Sequence, residues 1–322
     1  MSQFLSNNLI KSEALRLGFS VCGLAKAEPV APLQANAFRQ WIEQDKQADM
    51  DYMKNYMDKR LDPRLLMEGT KTILCVALNY YPNRFIPDNE LQMAHYAYGK
   101  DYHDVMKGKL RLLEAFLHEQ MEENIQTRSF CDTAPLLEKY WAWKAGLGWI
   151  GKHTQLILPN AGTHFFLGEI IIDREADRYD TPQPERCGSC TRCIDACPNK
   201  ALEGPYRLNA GRCLSYLTIE NRGDISASEA QKMGDCFYGC DECQKVCPWN
   251  RFAQPTEVEE FHPSELLLSM HKEDWRHLTE EQYREIFRGS AVKRAKFSGL
   301  KRNIEAIEQA QERKKEEPDS NK

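Results

Sequence analysis

The sequence predicts an α+β protein: a mixed α/β domain, a cysteine-rich domain and a helical C-terminal segment, with boundaries at 1–175, 176–252 and 253–322. Three observations predict it. Apolar runs of strand length alternate with helix-period segments up to about residue 173. Nine of the 12 cysteines crowd between Cys187 and Cys247. Past Phe252 the chain is highly charged and rich in helix formers.

With 322 residues, 42% hydrophobic and 28% charged, the chain is long enough for two domains and has an ordinary globular composition. A formal net charge of -5 argues against a generally basic nucleic-acid coat, though not against a local basic patch. The stretch MSQFLSNNLIKSEALRLGF lacks the basic start, apolar centre and small-residue cleavage site of an export signal. No run reaches the ~18 apolar residues of a membrane span. The cytoplasm is therefore the expected compartment, with no membrane partner and no disulfides. Cys22, Cys75 and Cys131, outside the crowded region, read as small buried hydrophobes.

Residues 1–59 read as helical, from FLSNNLIKSEALRLGF into QANAFRQWIEQDKQADMDYMKNYMDKR. Lys71–Tyr81 (KTILCVALNYY) is an apolar run between turn signals, hence a buried strand. In DVMKGKLRLLEAFLHEQM, Val105, Leu110, Leu113, Phe116, Leu117 and Met121 share one helical face. RSFCDTAPLLEKYWAWKAGLGWIGK passes from strand through a helix start near Pro135 into a glycine-rich turn. TQLILP and HFFLGEIII are two further strands. READRYDTPQPER, polar with two prolines, reads as a linker, and the closing QERKKEEPDSNK as a frayed tail.

Cys187-Gly-Ser-Cys190-Thr-Arg-Cys193-Ile-Asp-Ala-Cys197-Pro198 matches the bacterial ferredoxin run C-x2-C-x2-C-x3-C-P. Three thiolates on a tight loop reach three irons of one cubane, while the fourth cysteine turns away to ligate the other cluster. A second run, Cys236-x3-Cys240-x2-Cys243-x3-Cys247-Pro248, opens with three intervening residues, and Cys213 lies between the runs. Two 4Fe–4S clusters need eight thiolates and this region offers nine. The crossover gives one cluster Cys187, Cys190, Cys193 and Cys247. The other takes Cys197, Cys240, Cys243 and either Cys213 or Cys236, a choice that spacing leaves open.

Paired C-x2-C elements also build zinc sites, but a doubled run ending in x3-C-P is foreign to zinc ribbons. Clusters move single electrons and do no chemistry on a substrate by themselves. The cysteine region takes roughly a fifth of the chain. A redox enzyme wired to a site in the preceding domain is therefore favoured over a bare electron carrier or a zinc-stabilised RNA-binding module.

DPRLLMEGTKTILCVALNYYP, YGKDYH, CDTAPLLEKYWAWKAGLGWIGKHT, the two cysteine runs and GSAVKRAKFSGLKRN occur in this order. Together they resemble the epoxyqueuosine reductases, bacterial tRNA-modifying enzymes related to reductive dehalogenases. The resemblance extends from about residue 5 to about residue 305. It implies a cobalamin cofactor held by the N-terminal domain, with the clusters close to the corrin. It implies removal of the epoxide oxygen from epoxyqueuosine at the tRNA wobble position, giving queuosine. It also implies an external one-electron donor such as flavodoxin or ferredoxin, and a monomer is expected. A reductive dehalogenase is the rival with the same cofactor. Such enzymes usually carry an export signal and have no use for the basic segment described below.

In that family the acid is the aspartate of a D-T-x-P motif, here Asp132 in Cys131-Asp132-Thr133-Ala134-Pro135. Apolar burial against a corrin face would raise its pKa enough for it to donate. Without the resemblance, Asp132 or Thr133 reads as a cap on the helix starting near Pro135. Cobalamin contacts carried over from the resemblance are Arg60, Arg64, Asp132, Lys152, Thr154, Ser215 and Asp241. The Gly148–Lys152 turn would let backbone approach a flat cofactor, whereas Trp141, Trp143 and Trp149 read as core. The resemblance favours Cys213 as the eighth cluster ligand and leaves Cys236 spare.

Arg288, Lys293, Arg294, Lys296, Lys301 and Arg302 form a basic segment with no acidic residue. In an acidic chain this suggests a phosphate-facing surface. The resemblance assigns it to a tRNA anticodon stem-loop bearing epoxyqueuosine.

Overall fold

The computed structural model describes residues 4–121 and 124–316. Four strands, β1 (Val21–Lys26), β2 (Thr72–Asn79), β3 (Thr127–Phe130) and β4 (Phe165–Ile172), pair antiparallel in the order β1-β2-β4-β3. The longer helices that accompany them are α1 (Asn7–Arg16), α2 (Pro32–Glu43), α3 (Tyr102–Gln120) and α4 (Glu138–Lys144).

The near-continuous apolar runs of β2 and β4 have a simple cause: both faces of the sheet are covered. Leu74, Val76, Leu78, Ile170 and Ile172 pack with Ile10 and Ala14 of α1 and with Met106, Leu110, Leu113 and Leu117 of α3. The alternate residues Ile73, Cys75, Ala77 and Ile171 pack on the other face with Trp141 and Ala142 of α4. Each large side chain buried this way contributes about 1.5–3 kcal/mol. The helical face read from the sequence is the one α3 buries, with Met106 added to it. Cys22, Cys75 and Cys131 are all buried within these cores, as expected.

Several elements depart from the sequence reading. Residues 21–26, expected within a helical region, form β1, because Val21–Ala25 is short, apolar and pairs along β2. A Cβ on Gly23 would lie 2.0 Å from the carbonyl oxygen of Ala145, so only glycine lets the strand approach the turn after α4. The stretch 174–186 is not a free linker. Leu5 and Glu175 share a backbone hydrogen bond, and the Asp180 carboxylate accepts from the Leu24 N–H, Asn7 and Lys11, which straps the segment across the first elements. The tail is helical through Glu316, and 317–322 lie outside the described residues.

Beyond the sheet come α5 (Arg192–Asp195), α6 (Leu214–Ile219), α7 (Ala227–Met233), β5 (Cys236–Tyr238), α8 (Glu242–Lys245) and α9 (Lys296–Glu316). α5 and α8 each begin two residues after the second cysteine of a run (Cys190 and Cys240), carry its third (Cys193 and Cys243) and pack on one another. α7 starts on a reciprocal capping box between Ser226 and Glu229. β5 pairs in parallel with Gln92–Met93. One core joins Leu91, Met93 and Tyr98 to Phe237, Tyr238, Trp275, Leu300, Ile304 and Ile307. Segments far apart in sequence therefore share one interior. No helix among the described residues is long and apolar enough to cross a membrane.

Candidate active site

Folding sorts the cysteines into two groups. Cys197, Cys213, Cys240 and Cys243 line a single cavity. Cys187 and Cys247 pack elsewhere, against Trp149, Ile157 and Trp249, and Cys190 and Cys193 are their electrostatic neighbours. The last cysteine of each run thus sits with the other run's cysteines, as the crossover requires. Cys213 ends a short 3-10 turn and begins α6, which puts it on the cavity wall. Cys236 lies beside Cys240, but its thiol donates to the Gly239 carbonyl at 2.9 Å and it does not line the cavity.

The same cavity, about 430 Å³, is walled on its other sides by Tyr102, Asp132, Glu138, Lys139, His153, Thr154, Phe166, Ser215 and Asp241. Asp132 arrives there on the loop between β3 and α4. Its backbone is left-handed at φ 54°, and its N–H donates to the Glu138 carboxylate at 2.5 Å. Tyr102 Oη donates to Asp132 Oδ2 at 2.8 Å, and His103 Nε2 stands 3.9 Å from the same oxygen. α4 begins only at Glu138, with Leu137 as its N-cap, so Asp132 and Thr133 do not cap it. Nor does the protein bury Asp132: its side chain is 65% exposed.

A chain of polar contacts centred on the buried Asp101 supports this loop from behind. Asp101, 2% exposed, pairs with His103 Nδ1 at 2.7 Å and with Lys293 Nζ at 2.6 Å. Burial alone would raise the Asp101 pKa, but the Lys293 and His103 hydrogen bonds outweigh it and hold the carboxyl below its ordinary value.

The remaining expected contacts divide. Thr154, Ser215 and Asp241 line the cavity, with Asp241 accepting from the His95 N–H at 2.7 Å. Arg60 is buried, its Nε has no partner among the described residues, and its pKa is lowered by burial; it does not reach the cavity wall. Arg64 is engaged by the Asp62 carboxylate through Nε at 2.8 Å and Nη2 at 2.7 Å, outside the cavity. Lys152 donates from Nζ to the carbonyls of Gly188 and Cys190, bracing the first cysteine loop instead. Trp141 and Trp149 are buried core, and Trp143 donates to the Gln183 carbonyl at 3.1 Å.

Tyr102 lies within YGKDYH, and Glu138, Lys139 and His153 within CDTAPLLEKYWAWKAGLGWIGKHT, but nothing in their local spacing assigns them a role in the site. His153 is 3% exposed, and its Nε2 has no partner among the described residues.

The basic segment is less free than its composition suggests. Arg294 pairs with Glu220 at 2.7 Å and lies over the Tyr52 ring at 5.8 Å. Lys301 donates to the Arg276 carbonyl, and Arg302 donates to the carbonyls of Leu217, Asn221 and Gly223. Arg288 and Lys296 are exposed, and neither has an ion-pair partner among the described residues. Tyr52 lies within the electrostatic reach of both Arg294 and Asp132, so the segment borders the mouth of the site.

Among proteins of known identity, the epoxyqueuosine reductase of Cellulophaga algicola is 45% identical over 301 residues, covering 94% of this chain and 97% of its own. The chain belongs to the epoxyqueuosine reductase family. The Escherichia coli K12 relative is 36% identical over 306 residues, covering 92% of this reductase and 78% of its own length. Residues 60–133 match the family model "Epoxyqueuosine reductase QueG, DUF1730", and 186–250 match the "4Fe-4S double cluster binding domain".

A crystal structure of epoxyqueuosine reductase with an epoxyqueuosine-modified tRNA-Tyr stem loop superposes at a TM-score of 0.86 with 29% identity, over 93% of this chain and 80% of that one. The Bacillus subtilis enzyme, captured with its catalytic aspartate loop swung out of the active site, superposes at 0.84 over the same shares, also with 29% identity. The reductase is thus an oxidoreductase with a double 4Fe–4S domain.

Proposed function

We propose that the chain reduces epoxyqueuosine to queuosine at the wobble position of tRNA. The observation that carries this reading is the shared cavity: a carboxyl on an exposed loop and one cysteine quartet open onto the same space. In that reading Cys197, Cys213, Cys240 and Cys243 hold the cluster nearest the substrate. Cys187, Cys190, Cys193 and Cys247 hold the outer one, which receives electrons from an external one-electron protein such as flavodoxin or ferredoxin. Asp132 delivers protons to the epoxide oxygen.

The cavity suits a cobalamin, because the orphaned ring nitrogen of His153 and the side chains of Thr154, Ser215 and Asp241 offer polar partners to a carboxamide-fringed ring. When bound, that cofactor supplies one-electron chemistry at a metal able to act on carbon. The protein's own residues position the substrate and manage protons. Tyr102 and the Asp101–His103 pair fix where the Asp132 carboxyl points. Because that carboxyl stands at the cavity mouth, seating of the modified base would shield it from bulk water.

Residues 1–175, 176–252 and 253–322 act in this reading as functional units: cofactor and substrate, clusters, and tRNA approach. Arg288 and Lys296 are the members of the basic segment best placed to meet phosphates. We further propose that the enzyme works in the cytoplasm, where a tRNA substrate is found, and as a monomer. The test is mass spectrometry of tRNA nucleosides after incubation with cluster- and cobalamin-loaded protein and a one-electron reductant. Queuosine formed at the expense of epoxyqueuosine supports the reading, and an unchanged nucleoside profile overturns it.

A further inference from the structure

Removing an epoxide oxygen as water requires two electrons and two protons, and a single aspartate carries one proton. A second pair of carboxyls lies behind it. Glu169 stands in the middle of β4, opposite Cys75 of β2 and Phe130 of β3, and is 0% exposed. Neither of its oxygens has a hydrogen-bonding N–H or O–H partner among the described residues. Its facing group is another carboxyl, that of Glu138, which projects from the first turn of α4 onto the cavity wall beside Asp132.

Two carboxyls facing each other away from water hold together only with a proton between them. Burial, reinforced by the Asp132 charge, pushes Glu138 up to about 8, despite the Asp132 N–H and the neighbouring Lys139. Burial and the Glu138 charge push Glu169 well above the ordinary glutamate value. The other titratable groups nearby, the Cys75 and Cys131 thiols, are themselves raised by burial, so they add no positive charge to offset the pair. An apolar residue in the central strand would be less costly than Glu169. Its placement between an apolar core and the site is accounted for by proton storage.

We propose that Glu138 and Glu169 form a proton store that recharges Asp132 during turnover. The proposal rests on the epoxide-reducing reading above. Electrons enter one at a time from the external protein donor through the clusters. As the first C–O bond breaks, the proton that Asp132 took up as the modified base seated over it passes to the epoxide oxygen, which becomes a hydroxyl. Asp132 then takes a proton from Glu138, directly or through one water, and Glu138 is refilled from Glu169. The second proton goes to the hydroxyl as the second C–O bond breaks. The products are a carbon–carbon double bond and water, with two electrons and two protons consumed. With tRNA seated over the mouth, the stored protons make the turnover independent of bulk water, and the pair is refilled when the product leaves.

The test uses the full chain loaded with clusters and cobalamin, an epoxyqueuosine-bearing tRNA stem-loop, and single-turnover nucleoside analysis across pH. The wild-type rate should fall as pH rises through about 8. Glu138→Gln should lower the rate ~10- to 100-fold and abolish that alkaline fall. Formate should restore part of the rate to Glu138→Ala, which leaves room for it. Infrared spectroscopy of the cofactor-free protein supplies an arm independent of activity. A protonated-carboxyl band should be present at neutral pH and lose its Glu169 component in the near-isosteric Glu169→Gln.

A Glu138→Gln enzyme with the wild-type rate and pH profile overturns the proposal. So does a lowered rate with the alkaline fall intact, because that marks a merely structural role. Absence of the Glu169-dependent infrared band overturns it as well. If wild-type protein makes no queuosine, the reading of the function fails, and the infrared arm still decides whether the protons are stored.

Discussion

The Tyr102 ring lies flat against Phe166 of β4, centroids 4.3 Å apart and planes 5° from parallel, while its hydroxyl donates to Asp132 at 2.8 Å. The sheet thereby fixes the tyrosine, and the tyrosine helps to fix the carboxyl on its loop. Tyr102→Phe keeps the stack and removes only the donor. It should leave iron content and folding unchanged and lower turnover ~10-fold, the scale of losing one positioning hydrogen bond to a charged group. Steady-state nucleoside analysis checks this, and an unchanged rate would mean that the loop does not rely on Tyr102.

Asp132→Asn keeps the side chain's size but leaves it without a transferable proton. Turnover should fall by at least ~100-fold, with cluster absorbance and cobalamin content as in the wild type. Full activity in that variant would remove Asp132 from the mechanism.

Cys213 lines the cavity with three other thiols, whereas Cys236 is turned to the Gly239 carbonyl. Cys236→Ser should retain eight irons per chain, and Cys213→Ser should lose iron from one cluster. Iron analysis with Mössbauer or electron paramagnetic resonance spectra distinguishes the two, and the reverse pattern would reassign the eighth ligand.

Glu138 carries a stability signature of definite sign. Its folded-state value of about 8 lies above its ordinary 4.5, so between these the folded state binds a proton that the unfolded chain has released. Stability from this group is fully present below the ordinary value and is lost as pH rises through about 8. The slope is at most about 1.4 kcal/mol per pH unit, the value for one proton. Thermal midpoints of cluster-loaded protein should therefore fall over this range, and Glu138→Gln should flatten the decline.

The basic segment should split by partner. Arg288→Ala and Lys296→Ala, at exposed positions without ion pairs among the described residues, should each reduce the salt dependence of stem-loop binding by about one unit in the log–log slope. Arg302→Ala strips hydrogen bonds from the carbonyls of Leu217, Asn221 and Gly223. Its main effect should be a stability loss of about 1–3 kcal/mol. Binding titrations at several salt concentrations, beside thermal midpoints, separate these outcomes.

The sequence by itself determined the clusters and the family. Cluster ligation demands particular side chains at fixed short spacings, and C-x2-C-x2-C-x3-C-P states them in one line of text. Strands β2 and β4 and helix α3 were legible for a related reason: their apolar periodicity is local. β1 was hidden because its pairing with β2 spans about fifty residues and no local period announces it.

Only the tertiary structure decided which groups share the cavity. Glu138 and Glu169 look like ordinary helix-start and strand residues until α4 packs on the sheet and turns one carboxyl toward the other. Likewise Lys293, Arg294, Lys301 and Arg302 read as one charged face until each met a carboxylate or carbonyl from a distant segment. Ligand spacing is a property of the chain, whereas burial and pairing of charge are properties of the packed molecule, and only the first can be read along a line.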